Sequence, residues 1–178
     1  MATMFMENQP EWDGSPTAPV REHTDLRQAV GEETLAHLAL DAVQRLDDVR
    51  PAWRRHASHA FEPRMMLTLL SYCYASGIYG SAQVADAIRD NRMIRYLCAR
   101  TYPDPKAIRS FRKGHRGLLH QCLNHVLQQA RGWHPDPALA DSYGGSVLTH
   151  RLCGRIDADA QHRLDVAIFI DRMLIDED

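Results

Sequence analysis

Long apolar runs and closely spaced cysteines are both missing from this 178-residue sequence, and each absence excludes a class of protein. No apolar stretch approaches the roughly 20 residues that a membrane-spanning helix needs. The first residues carry neither a charged start nor an apolar stretch of secretory-signal length. The four cysteines are widely spaced, without a Cys-x-x-Cys pair. We therefore expect a cytoplasmic protein without membrane contact, whose cysteines are free thiols that serve mainly as small core residues.

Recognisable catalytic motifs are also missing. The chain has no glycine-rich phosphate loop, no Gly-x-Ser-x-Gly and no convincing Cys/His nucleophile pair. His115, His120, Cys122 and His125 are close in sequence, but their spacing fits no common zinc pattern. We expect no catalytic residues, no metal site and no cofactor, and hence a protein that is not an enzyme.

Sustained strand-type alternation is absent as well, and apolar residues recur instead at intervals of three and four. The sequence predicts an all-α fold with a multi-helix domain of the helix-turn-helix type. The predicted helices cover residues 31–48, 63–76, 82–90, 92–99, 105–115, 118–130 and 158–176.

Three regions differ in composition. Residues 1–30 are poor in aliphatic side chains and rich in Pro, Glu, Asp and Thr, which predicts a disordered acidic arm. Residues 31–132 are predicted to form one helical DNA-binding domain. Residues 133–178 are predicted to form a loop up to residue 149 and then a C-terminal helix, which either makes a homodimer or packs on its own domain.

Charge is distributed unevenly along the chain. The formal net charge is only −2, but residues 89–116 hold nine basic and two acidic residues, a local charge of +7. Residues 1–50 carry −6 and residues 133–178 carry −5. A basic block between acidic flanks is typical of nucleic-acid contact, and a merely solvated basic face is the alternative.

The helix predicted after Pro103 concentrates this charge. Asp104 can cap it, and Pro105 suits its first turn. Ile108 and Phe111 share a narrow apolar edge, and the cations lie within an arc of about 120° on the other side. Such a helix fits the major groove of double-stranded DNA. The candidate groove and phosphate contacts are Lys106, Arg109, Arg112 and Lys113. The second-rank candidates, for phosphate alone, are Arg116, Arg92, Arg95 and Arg100.

Three segments carry a resemblance to a known family. They are the run that begins Glu62-Pro63-Arg64-Met65-Met66, the tetrapeptide Ile94-Arg95-Tyr96-Leu97, and the run Pro103-Asp104-Pro105-Lys106-Ala107-Ile108-Arg109-Ser110-Phe111-Arg112-Lys113-Gly114-His115. Together they resemble, across residues 62–132, the N-terminal domain of bacterial insertion-sequence transposases of the DDE class. The resemblance implies a domain that recognises the ends of a mobile element. The helix over 82–90 would brace the DNA backbone, and the helix over 106–115 would enter the groove.

We expect no counterpart here of the catalytic half of that family. Two-metal chemistry needs carboxylates that converge from separate strands. Residues 155–159 only echo the family's first catalytic segment, because glycine and threonine do not follow the aspartate. We interpret Asp157, Asp159, Asp165 and Asp171 as the solvated face of the C-terminal helix.

These observations leave three functional hypotheses. The first is sequence-specific binding of double-stranded DNA by a non-catalytic, transposase-like protein that regulates transcription. The second is a truncated or split transposase that retains only its end-binding domain. The third is a protein-interaction module that uses the basic face and the C-terminal helix. In any of these cases the acidic arms could serve as a surface for a protein partner.

Overall fold

A computed structural model describes residues 25–49, 61–132 and 145–175. These residues form eight helices and no strands, which confirms the all-α prediction. In chain order the helices are α1 (Leu26–Val30), α2 (Glu32–Val49), α3 (Pro63–Ala75), α4 (Ser81–Asp90), α5 (Arg92–Leu97), α6 (Pro105–Gly114), α7 (Arg116–Ala130) and α8 (Gly145–Ile175).

Helix α3 is the buried axis of the domain. Every residue from Met65 to Ala75 is buried, as expected for a helix that is apolar nearly all round. Glu62 caps its start by accepting a hydrogen bond from the backbone N–H of Met65 at 2.8 Å. Gly77 follows its end with φ +81°, a left-handed conformation that suits glycine.

The other helices form layers around this axis. Helices α2 and α7 pack against α3 and against each other, and α8 lies across α7 and α3. Helix α4 packs against both α5 and α6. The basic helix α6 is therefore held mainly by α4, at the edge of the bundle.

The predicted disordered arm does not extend to residue 30. Helix α1 lies within residues 1–30, where we expected disorder, and Leu26 is buried in the core. The reason is local capping: Asp25 accepts a hydrogen bond from the backbone N–H of Arg27 at 2.9 Å. Residues 1–24, the rest of the predicted arm, lie outside the described residues.

The C-terminal helix is longer than predicted. It begins at Gly145 rather than near residue 158, so the loop expected up to residue 149 is wrong for residues 145–149. Gly and Ser are tolerated at the start of a helix. One interior glycine, Gly154, costs about 1 kcal/mol, which packing of the following turns outweighs. Residues 133–144 lie outside the described residues.

The cysteines occupy the places that the sequence suggested. All four are free, and Cys73, Cys98 and Cys122 are buried, whereas Cys153 is half-buried. Burial raises the pKa of the Cys98 thiol to about 12, and it raises the pKa of Cys73 as well. These thiols are core residues in their protonated form.

Candidate nucleic-acid interface

Helix α6 forms as its sequence predicts. Asp104 accepts a hydrogen bond from the backbone N–H of Ala107 at 2.6 Å, and Pro105 occupies the first turn. Ile108 and Phe111 are buried on its inner edge. The ring of His115 stacks on Phe111 with centroids 4.3 Å apart, which extends the apolar edge beyond the last turn.

Two of the predicted contact residues lie on the open side of α6. Lys106 and Lys113 are exposed. Arg109 is half-buried, and its Nη1 donates a hydrogen bond to the hydroxyl of Ser81 at 3.0 Å. Because Ser81 begins α4, this bond ties the middle of α6 to the helix on which it packs.

Arg112 lies on a buried edge of α6, not on its open side. Its side chain is only 5% exposed, and it forms an ion pair with Asp171 of α8. It also donates a hydrogen bond to the hydroxyl of Tyr74 at 3.0 Å. Burial alone would lower the pKa of Arg112, but the interactions with Tyr74 and Asp171 outweigh it and raise that pKa. The prediction that Arg112 lies with the other cations on an open face is wrong, because α8 covers its edge of α6.

The four second-rank phosphate candidates lie in different parts of the domain. Arg116, the first residue of α7, is exposed and pairs with Asp165 of α8 at 2.7 Å. Arg95 donates hydrogen bonds to the backbone carbonyls of Ile88 and Arg89, at the end of α4. Its guanidinium therefore stabilises the negative end of that helix.

Arg92 and Arg100 lie elsewhere. Arg92 lines a groove between α2 and α5 together with Glu32, Glu33 and Tyr96. Arg100 is exposed and has φ +61° in the segment that joins α5 to α6. The structure therefore does not place Arg92 beside the α6 cations.

A cleft of about 390 Å³ opens where the α6–α7 corner meets α8. Three of the candidate groove and phosphate contacts of α6 line this cleft, together with one of the second-rank phosphate candidates. The sequence pattern did not predict that residues of α8 form one wall of this cleft. The lining residues are Arg109, Arg112, Lys113, Arg116, Ile168 and Arg172.

The four aspartates of α8 have different environments. Asp157 and Asp165 are exposed, as expected. Asp159 is only 12% exposed and pairs with Arg131 and Arg163, and Asp171 is buried. The solvated-face interpretation is wrong for Asp171, because the side of α8 that faces the domain includes it.

The histidines considered for zinc have other partners. His115 stacks on Phe111, and Nε2 of His125 lies 3.0 Å from a carboxylate oxygen of Asp41. Within residues 25–49, 61–132 and 145–175, no three His, Cys, Asp or Glu side chains come together as metal ligands. No helix of this part of the chain is long and apolar enough to cross a membrane.

Sequence comparison relates the first six helices of the chain to a known family. No curated protein and no solved structure matches the chain significantly. The family model described as Transposase domain (DUF772) matches residues 24–114, just over half of the chain. The match begins just before α1 and ends with α6, so it contains the basic helix but neither α7 nor α8. The chain therefore belongs to the DUF772 family of transposase domains.

Proposed function

We propose that this protein binds double-stranded DNA sequence-specifically through α6 and does not itself catalyse strand transfer. The observation that carries the proposal is the construction of α6. One edge is buried against the domain, and Lys106 and Lys113 face outward from a helix capped by Asp104. Membership of a family described as a transposase domain supports the same function, because transposases act on DNA.

Helices α4 and α6 form the proposed helix-turn-helix-type unit. Helix α4 packs against α6, and the Arg109–Ser81 hydrogen bond joins the two. A recognition helix has to be rigid relative to the helix behind it, so that its side chains meet the base edges in one register. In this arrangement α6 enters the major groove and α4 braces it.

We propose transcriptional regulation as the biological role. The experiment is affinity selection of duplexes from fragmented host DNA, followed by a salt titration on the enriched fragment. One enriched promoter motif is the expected result. Four to six phosphate contacts would give a log–log slope of about −4 to −5.

Variants of α6 test the assignment directly. Replacing Lys106 and Lys113 together by Ala should weaken binding by at least about tenfold and reduce the salt slope by about 2. The matched control replaces Arg45 and Arg155, two exposed bases outside α6, and should leave the affinity unchanged. Equal affinity of the two double variants would overturn the assignment of α6.

A truncated or split transposase is the second candidate function. The family match favours it, because the matched family is described as a transposase domain. Enrichment of inverted repeats that flank a mobile element, instead of a promoter motif, would decide for it. A catalytic chain encoded beside this one would support the split form.

Homodimerisation through α8 is supported by its exposed apolar residues. Phe169 is 62% exposed, and Met173, one turn further on, is 51% exposed. The opposite side of α8 packs on the domain, so these side chains remain available to a second copy. Light scattering on the wild type and on Phe169→Ser tests this: a dimer that the substitution dissociates is the expected result, and a wild-type monomer would overturn it.

A further inference from the structure

The cleft between the α6–α7 corner and α8 combines strong positive charge with one apolar side chain. Five of its six lining residues are basic, and no carboxylate is among them. Three different helices supply these bases: α6, α7 and, through Arg172, α8. The carboxylates of Asp171 and Asp165 pair with two of these five cations, and a bound anion would relieve the repulsion among the others.

Part of this charge is held in place by the protein. Arg112 is fixed by Asp171 and Tyr74, Arg116 by Asp165, and Arg109 by Ser81. Their guanidinium groups are therefore oriented before any ligand arrives, which lowers the entropic cost of binding.

The remaining two cations of the cleft are Lys113 and Arg172. Lys113 and Arg172 form no ion pair with any acidic side chain in the described part of the chain. Both are exposed. The cleft thus combines three guanidinium groups that have fixed partners with two cations that have no acidic partner among the described residues.

We propose that this cleft binds a phosphate group of the DNA backbone, next to the groove that α6 reads. The inference rests on the proposed function and extends it to α8, which lies outside the family match. Arginine favours this ligand, because its planar fork donates two parallel hydrogen bonds to phosphate oxygens.

The position of Lys113 links the two parts of this interface. Lys113 lies on α6 and also lines the cleft, so a phosphate bound there lies beside the helix in the groove. Phosphate contacts fix the register of a protein on the duplex, whereas base contacts supply specificity. Arg172 is therefore a positioning residue that anchors the backbone while α6 reads the bases.

The test uses the full chain with Arg172→Ala and, as a matched control, Arg155→Ala, which removes an exposed arginine of α8 outside the cleft. Fluorescence anisotropy measures affinity for the selected duplex over a range of KCl concentrations. We expect Arg172→Ala to weaken binding about five- to tenfold and to reduce the salt slope by about 0.9, the value for one phosphate contact. Arg155→Ala should match the wild type in both, and thermal unfolding should show both variants folded.

The outcomes separate this inference from the proposed function. If the Lys106/Lys113 double variant loses affinity while Arg172→Ala binds like the wild type, the cleft proposal is overturned and DNA binding by α6 stands. If the wild type binds no DNA at low salt, both are overturned.

A parallel titration with inorganic phosphate distinguishes the source of the phosphate group. Stabilisation of the wild type but not of Arg172→Ala by inorganic phosphate, with equal DNA affinity and salt slope for the two proteins, would assign the cleft to free phosphate and overturn the DNA-backbone proposal.

Discussion

Asp171 in α8 accepts hydrogen bonds from both the backbone N–H and the hydroxyl of Ser81, at 2.8 and 2.9 Å, although ninety residues separate them. Ser81 begins α4, and the residue before it, Gly80, has no side-chain oxygen with which to cap the helix. The carboxylate of Asp171 therefore stabilises the positive end of α4 from outside the helix. The same carboxylate holds Arg112 of α6.

Arg163, two turns earlier in α8, has the complementary position. Its side chain is 1% exposed, and its Nη1 donates hydrogen bonds to the carbonyls of Tyr74 and Ala75 at 2.8 and 3.2 Å. These carbonyls lie in the last turn of α3, where the helix dipole is negative. Helix α8 thus places a cation at the end of α3 and an anion at the start of α4, and both helices depend on it.

Removing the Asp171 carboxylate should destabilise the whole domain. Asp171→Ala leaves Arg112 buried without its anionic partner and removes the carboxylate that caps α4 at Ser81, so we expect a loss of about 3–5 kcal/mol in the free energy of unfolding. Urea unfolding followed by circular dichroism measures it. The control is Asp165→Ala, which removes an exposed ion pair and should cost at most about 1 kcal/mol. Equal losses for the two variants would contradict the role given to Asp171.

A double-mutant cycle tests the coupling of α6 to α8. Arg112→Ala alone should also cost about 3–5 kcal/mol, because it leaves Asp171 buried and unpaired. The Arg112→Ala/Asp171→Ala double variant should lose clearly less than the sum of the two single losses. Lys113→Ala, the neighbouring exposed cation, should stay within about 0.5 kcal/mol of the wild type. Additive losses would mean that Arg112 and Asp171 do not act as a pair.

Two glycines should respond to alanine in opposite directions. A Cβ at Gly80 would lie 3.0 Å from Cγ2 of Ile170 in α8, so Gly80→Ala should cost about 1–3 kcal/mol through overpacking. A Cβ at Gly154, inside α8, would meet nothing within 4 Å among the described residues. Gly154→Ala should therefore stabilise the protein by about 0.5–1 kcal/mol, since alanine is the better helix former. Thermal unfolding of both variants measures the difference, and a stabilised Gly80→Ala would contradict the close packing of α8 on the α3–α4 turn.

Local features of the fold were predictable from sequence because they depend on neighbouring residues. Asp104 and Pro105 set the start of α6, and the apolar run from Met65 to Ala75 is buried on all sides as its composition required. Each of these signals operates within a few residues. Helical periodicity likewise predicted which side of α6 faces the core, and Ile108 and Phe111 on that side are buried.

The environment of Arg112 was not predictable in this way. A helical projection separates the apolar and basic sides of α6, but it cannot show that a helix 59 residues later covers one edge of the basic side. One signal in α8 was available. Arg163 and Asp171 occur at the same helical spacing as the buried Ile156, Ala160, Leu164 and Ala167. Charged residues in register with an apolar stripe indicate buried charges with partners elsewhere in the fold.

Phe111→Ala separates the structural side of α6 from its proposed binding side. Phe111 is 3% exposed, so its truncation should lower the free energy of unfolding by about 3–5 kcal/mol. DNA affinity corrected for the folded fraction should nevertheless stay near that of the wild type, because the ring lies on the edge of α6 that faces away from solvent. Lys113→Ala should show the reverse: near wild-type stability and weaker DNA binding. Urea unfolding and anisotropy on the same samples test both variants, and an unchanged stability of Phe111→Ala would show that α6 presents a different face to the domain.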